Sequence, residues 1–206
     1  MRLSMIAAVT CATIAASAFG QGWHELGDAS DTPLISQVTH GRGALTYILG
    51  HHGHGDVDMF TIRIDDPLAF SASTVGGATF DTQVWLFDAS GRGVVFNDDI
   101  PGGGTLLSTI TGQFVPTAGL YLLAISRYTQ DPVDADGRAL WMQSPFAHER
   151  QPDGPGAANP IHAWISQAPA GGTYWITLTG ASHAVPAPGA ISLLVFSGLA
   201  AVRRRR

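Results

Sequence analysis

Between residues 44 and 179, apolar and polar positions alternate in short runs broken by Gly, Pro and Asp, a pattern that predicts a succession of short β-strands. The candidate strands are Ala44–Leu49, Asp58–Ile64, Ala69–Thr74, Thr82–Asp88, Gly93–Asn97, Leu106–Ile110, Gly119–Arg127 and Thr173–Thr179. Phe60, Ile62 and Ile64 alternate with Thr61 and Arg63, the period of a strand with one buried face. In the last strand Tyr174, Ile176 and Leu178 share one face, and Trp175, Thr177 and Thr179 the other. Leu120–Ile125 is apolar throughout, as expected of a central strand covered on both sides. Turn signals fall at Asp65-Asp66-Pro67, Gly76-Gly77, Asp88-Ala89-Ser90-Gly91 and Pro101 to Gly104. No segment between the termini carries a long 3.6-residue stripe. The expected fold is all-β, a β-sandwich of jelly-roll type.

One interval breaks the rhythm. Residues 129–172 carry Pro132, Pro145, Pro152, Pro155, Pro160 and Pro169, and loops of this length in compact domains are usually functional or disordered. Trp141, Phe146, His162 and Trp164 within it form either a contact surface or a set of clips that hold the loop on the sheets.

The two ends are apolar and read as routing signals. Arg2, the run Met5 to Ala16 and the Ala16-Ser17-Ala18 site have the order of a secretory signal peptide, cut after Ala18 or Gly20. At the other end Val185-Pro186-Ala187-Pro188-Gly189 precedes an apolar run to Val202 and then Arg203, Arg204, Arg205 and Arg206. That run would reach about 20 Å as a helix, against a hydrocarbon core of about 30 Å, so it makes a marginal span that snorkelling arginines would lengthen. The positive-inside rule keeps the arginines cytoplasmic and the preceding chain outside. This tail resembles the PEP-CTERM sorting signal of bacterial exported proteins, with Ala187 where the family has Glu. The resemblance implies processing by a membrane transpeptidase of the export and sorting machinery; the alternative is a tail anchor retained uncut. The expected organisation is a signal peptide over 1–20, a domain over 21–184 and a sorting or anchor tail over 185–206.

Composition narrows the picture. Cys11, the only cysteine, lies in the signal, so the exported chain has no disulfide and its fold rests on its core. No lysine occurs; the stretch between the signals holds six arginines against sixteen acidic residues, a net charge of about −10. Such a surface excludes nucleic acid, whose phosphates need cations, and admits divalent cations or basic partners.

The strands between Leu45 and Tyr128 resemble the bacterial pre-peptidase C-terminal domain family. The matching pieces are Gly55-Asp56-Val57-Asp58-Met59-Phe60-Thr61-Ile62, then Phe80-Asp81-Thr82-Gln83-Val84-Trp85-Leu86-Phe87-Asp88, with Ala89-Ser90-Gly91 following. Phe96-Asn97-Asp98-Asp99 and Pro116-Thr117-Ala118-Gly119-Leu120-Tyr121-Leu122 complete the set in the family's order. The resemblance implies a jelly-roll-like β-sandwich, a non-catalytic module on a secreted protein, and relatives that bind calcium or collagen. Residues 129–172 are an insertion with respect to that pattern.

Candidate chemistry is sparse. Aspartates gather at strand ends: Asp56 and Asp58; Asp81; Asp98 and Asp99; and Asp131, Asp134 and Asp136. Calcium takes six to eight oxygens, which turn-borne carboxylates can supply, and Asp81, Asp98 and Asp99 are the best candidate set. The competing reading is that these aspartates merely close turns. Asp134-x-Asp136-Gly137 fails as an EF-hand loop because Pro132 and Gln143 occupy ligand positions. His51, His52 and His54 are expected in a Gly-rich turn, too closely spaced to converge on one ion. No H-E-x-x-H or G-x-S-x-G motif occurs, His24-Glu25 and His148-Glu149 lack a second histidine, and Gly102-Gly103-Gly104 is not followed by a lysine.

The expected function is that of an exported, surface-anchored, non-catalytic module with no catalytic residues and no cofactor beyond a possible calcium ion. Its membrane contact would run through the C-terminal helix, and its partner would be extracellular polysaccharide or another envelope component. The alternatives are a secreted hydrolase with its site in residues 129–172, and a calcium-dependent adhesin.

Overall fold

The computed structural model describes residues 21–102, 104–165 and 168–187, and apart from three one-turn 3-10 helices its regular structure is all β. The expected signal helix with Ala18 and Gly20, and the tail from Pro188 through Arg206, lie outside the described residues. In chain order the strands are β1 (Gln21–His24), β2 (Gln37–Val38), β3 (His40–Gly41), β4 (Leu45–His52), β5 (Asp58–Ile64), β6 (Ser71–Ser73), β7 (Thr82–Asp88) and β8 (Gly93–Asn97). They continue as β9 (Thr109–Thr111), β10 (Gly119–Arg127), β11 (Asp131–Val133), β12 (Ala163–Ile165), β13 (Gly172–Thr179), β14 (Ala181–His183) and β15 (Val185–Pro186).

Two main sheets form, in the orders β1-β4-β13-β6-β9 and β14-β5-β10-β7-β8. β10 is antiparallel to both neighbours, with Leu123 opposite Phe60 on one side and Leu86 on the other. β2 and β14 share the outer edge of β5, β2 beside Phe60 and Thr61, β14 beside Ile62 to Ile64. That edge therefore does not present a free row of backbone donors and acceptors. β15 pairs with β3, so Val185, Pro186 and the Ala187 N–H are bonded to the domain.

The sheets share one core. Ile48, Tyr174, Ile176 and Leu178 from the first meet Phe60, Ile62, Val84, Leu86, Leu123 and Ile125 from the second, all buried. Alternation explains which side chains enter: Tyr174, Ile176 and Leu178 are inside, while Trp175, Thr177 and Thr179 are outside. The outer face of the first sheet is accordingly polar, with cross-strand hydroxyl pairs Ser71–Thr179 at 2.8 Å and Ser73–Thr109 at 2.7 Å.

The second sheet differs. Its outward positions Met59, Trp85, Phe87, Phe96, Leu122 and Ala124 are apolar and also buried. Residues 129–165 cover them, contributing Leu140, Trp141, Ile161 and Trp164 as a third layer. Trp85 stacks on Phe96 at 3.8 Å between centroids and meets Trp141 and Trp164 edge-on at 5.3 and 5.8 Å. The segment is thus ordered, with β11 and β12 paired and Arg150 exchanging both backbone hydrogen bonds with Phe96.

Four expected strands, at 58–64, 82–88, 93–97 and 119–127, match the structure end to end. Two others are corrected. Residues 106–108 are not strand: Leu106, Leu107 and Ser108 instead accept from the backbone N–H groups of Thr82, Ile100 and Thr74. Pro67–Ala69 forms a 3-10 turn, capped by Asp66, so β6 starts only at Ser71. No helix among the described residues is long and apolar enough to cross a membrane.

The third layer yields a test. Trp141→Ala removes a side chain 3% exposed and should lower stability by about 3–5 kcal/mol in urea unfolding. Trp175→Ala, on the open face, should change it by less than about 1 kcal/mol. Equal losses for the two would contradict the layering.

Candidate metal centres and an aromatic groove

Antiparallel pairing of β7 with β8 places Val84 opposite Asn97. Asp81, just before β7, and Asp98-Asp99, just after β8, therefore share the open end of one hairpin. One carboxylate oxygen of each lies within 4.8 Å of the others, the largest separation for two oxygens bound to one ion at about 2.4 Å. The Oδ1 atoms of Asp81, Asp98 and Asp99 are all buried and without a hydrogen-bond partner. Asp98 is 4% exposed. Burial, followed by the charges of Asp81, Asp99 and Asp131, pushes its carboxyl up to about 8, against an opposing pull from Arg150. Burial raises Asp81 too, with Asp99 adding to the effect, and burial raises Asp99. The arginines are engaged elsewhere: Arg127 donates to the Ala170 carbonyl, and Arg150 binds Asp153 and the Met142 carbonyl. An all-oxygen set of three carboxyl groups suits a hard divalent cation such as calcium better than zinc.

A second acidic group, Glu25, Asp28 and Asp58, converges within the same 4.8 Å limit. Its oxygens are better served. Glu25 accepts the N–H groups of Ala29 and His51, both at 2.7 Å, and Asp58 Oδ2 accepts the Tyr174 hydroxyl at 2.7 Å. Asp58 Oδ1 has no partner. Burial, then the charge of Asp56, pushes the Asp58 carboxyl up to about 9. Glu25 and Asp28 were not legible as site residues in the sequence, because the parallel pairing of β1 with β4 brings them to Asp58. The Asp56-x-Asp58 spacing was the only local signal.

The other sequence candidates do not converge. His51 and His52 belong to strand β4 rather than to a turn, so their rings lie on opposite faces. His52 is buried against Phe80, 5.2 Å between centroids, and burial lowers its pKa. His51 and His54 line a groove of about 730 Å³ with Asp28, Asp31 and Asp56. Asp134 closes its own turn, accepting from the Asp136 and Arg138 amides and binding the Arg138 guanidinium and Asn159. Asp131 is held by Gln83 and Gln143. Of the four aromatics singled out in residues 129–172, Trp141 is buried and Trp164 half-buried, so they clip the segment to the sheet; only Phe146 and His162 remain exposed.

The outer face of the first sheet carries a feature that pattern alone did not single out. Register sets His24, Leu49 and Trp175 in one row across β1, β4 and β13, with Gly22, Tyr47 and Thr177 in the next. Tyr47 and Trp175 are diagonal neighbours on this face, 38% and 46% exposed. The Tyr47 ring lies over Gly22, where a Cβ would come within 2.0 Å of it, and its hydroxyl is 3.3 Å from His24 Nε2. With Thr46, these side chains line an open groove of about 530 Å³ that contains no acidic or arginine side chain. Comparison with family models, curated proteins and solved structures finds no match to this chain.

The buried carboxyls set a pH dependence. Asp58 holds its proton in the fold up to about 9 but loses it near 4 when unfolded. Over that interval the folded state binds more protons, so stability falls as pH rises. Urea midpoints in chelator should decline from pH 5 to pH 9, and Asp58→Asn, neutral at every pH, should flatten the decline. An unchanged slope in the variant would assign the proton elsewhere.

Proposed function

We propose that this protein is an exported, surface-anchored, non-catalytic module that displays a binding face for neutral polysaccharide at the bacterial envelope. The observation that carries the reading is the uncharged groove between Tyr47 and Trp175 on an otherwise acidic domain. The C–H faces of a pyranose ring are apolar and weakly positive, and they pack on the negative faces of exposed aromatic rings. The hydroxyls of Thr46, Tyr47 and Thr177 and the His24 imidazole supply hydrogen bonds at the rim. An anionic glycan would meet about ten uncompensated negative charges and no arginine in the groove.

Two sheets packed on one core support the jelly-roll-like sandwich of the pre-peptidase C-terminal family. The apolar N-terminal run and the Val185-Pro186-Ala187-Pro188-Gly189 tail support export and anchoring. In residues 129–172, the engagement of Trp141, Trp164 and Asp134 in packing and turn closure favours this reading over a hydrolase.

Affinity electrophoresis through gels containing mannan, xylan or a soluble β-glucan tests it. Retardation by at least one of these, weakened about tenfold or more by Trp175→Ala with the fold intact, is the expected result. Mobility unaltered by all three, or retardation indifferent to Trp175→Ala and Tyr47→Ala, would overturn the polysaccharide assignment.

A further inference from the structure

We infer that Asp81, Asp98 and Asp99 bind one divalent cation, calcium by preference, and that this ion fastens the third layer to the end of the β7–β8 hairpin. The inference is independent of the polysaccharide reading, because the two sites lie on different sheets.

Turn aspartates normally spend their carboxylates on nearby backbone amides, as Asp66, Asp88 and Asp134 do here. Asp81, Asp98 and Asp99 do not: no protein donor among the described residues reaches their carboxylates, and each buries an unpartnered Oδ1. One carboxylate oxygen of each lies within 4.8 Å of the others, so the three side chains form a cradle whose buried Oδ1 atoms no protein donor satisfies and which a cation would satisfy in one step. The Glu25 group makes the contrast, since backbone amides already occupy both Glu25 oxygens.

The position of the cradle gives the ion its role. The covering segment leaves β10 beside it, where the Tyr128 N–H donates to the Asp81 carbonyl at 3.1 Å. It returns beside it as well: the Asp99 N–H donates to the Phe146 carbonyl at 3.3 Å, and Arg150 exchanges two 3.0 Å bonds with Phe96. Both ends of the junction between hairpin and third layer thus hang on residues of the carboxylate cluster or their neighbours. Like charges held this close repel, and a divalent ion converts that repulsion into a cross-link between the start of β7 and the end of β8.

Thermal melting of the full-length protein in calcium chloride, in chelator and in sodium chloride of matched ionic strength tests binding. Extracellular modules hold calcium at about 10⁻⁴–10⁻³ M, so about 10 mM calcium should raise Tm by roughly 3–10 °C. Asp98→Asn, which keeps the shape and removes one ligand charge, should fold and lose the shift; Asp99→Asn serves the same purpose should the first fail to fold. Asp58→Asn should keep the shift, which separates this cluster from the Glu25 group. Hydrogen exchange tests the clamp: calcium should slow exchange in residues 96–99, 128–131 and 144–150. No calcium-specific shift, or a shift retained in both asparagine variants of the cluster, overturns the site. A shift without slowed exchange in those three segments overturns the fastening role.

Discussion

The structure depends on one constraint: the second sheet is apolar on both faces and cannot stand in water on either. Trp85, Phe87 and Leu122 point away from the common core, so a sandwich of two sheets alone would leave a large hydrophobic patch exposed. The chain meets this with residues 129–165, which have little regular structure yet lie as a fixed layer on that face. Their order comes from the rings they bury, and their prolines and glycines let an irregular path follow the sheet surface.

The same constraint concentrates charge. A segment that crosses the end of a hairpin must bury turn residues, and in this chain those are Asp81, Asp98 and Asp99. Burial without donors makes them expensive as anions, which is why Asp98 holds its proton to about 8. The opposite sheet is solvated on its outer face and carries hydroxyls there, with Tyr47 and Trp175 as the aromatic exceptions. The two sides of the molecule therefore differ in kind: one is sealed by the protein's own chain, and the other is left open with rings on display.

Much of this was legible in the residues. Period-two alternation located β5 and β13 and assigned their faces, because a half-buried strand leaves no other choice. The unbroken apolar run Leu120–Ile125 signalled two covered faces, and from Tyr121 onward both are covered, whereas Leu120 stays exposed. Boundaries failed where backbone groups bond irregularly, as at Leu106 to Ser108. Strands of two to four residues, β1, β2, β3 and β15 among them, are too short to show a period.

Site residues divide in the same way. The sequence alone determined that Asp81, Asp98 and Asp99 sit at strand ends, since Asp before or after an alternating run marks where a strand stops. It also determined the acidity, the single cysteine at Cys11 and the two apolar ends. Only the tertiary structure decided that those three carboxylates meet while Asp131, Asp134 and Asp136 are drawn into other bonds. It alone decided that Glu25 reaches Asp58 through a parallel strand pair, and that Trp141 is buried while Trp175 is open. The reason is physical: local pattern fixes which way a side chain leaves its strand, but what it meets depends on pairings between residues tens of positions apart.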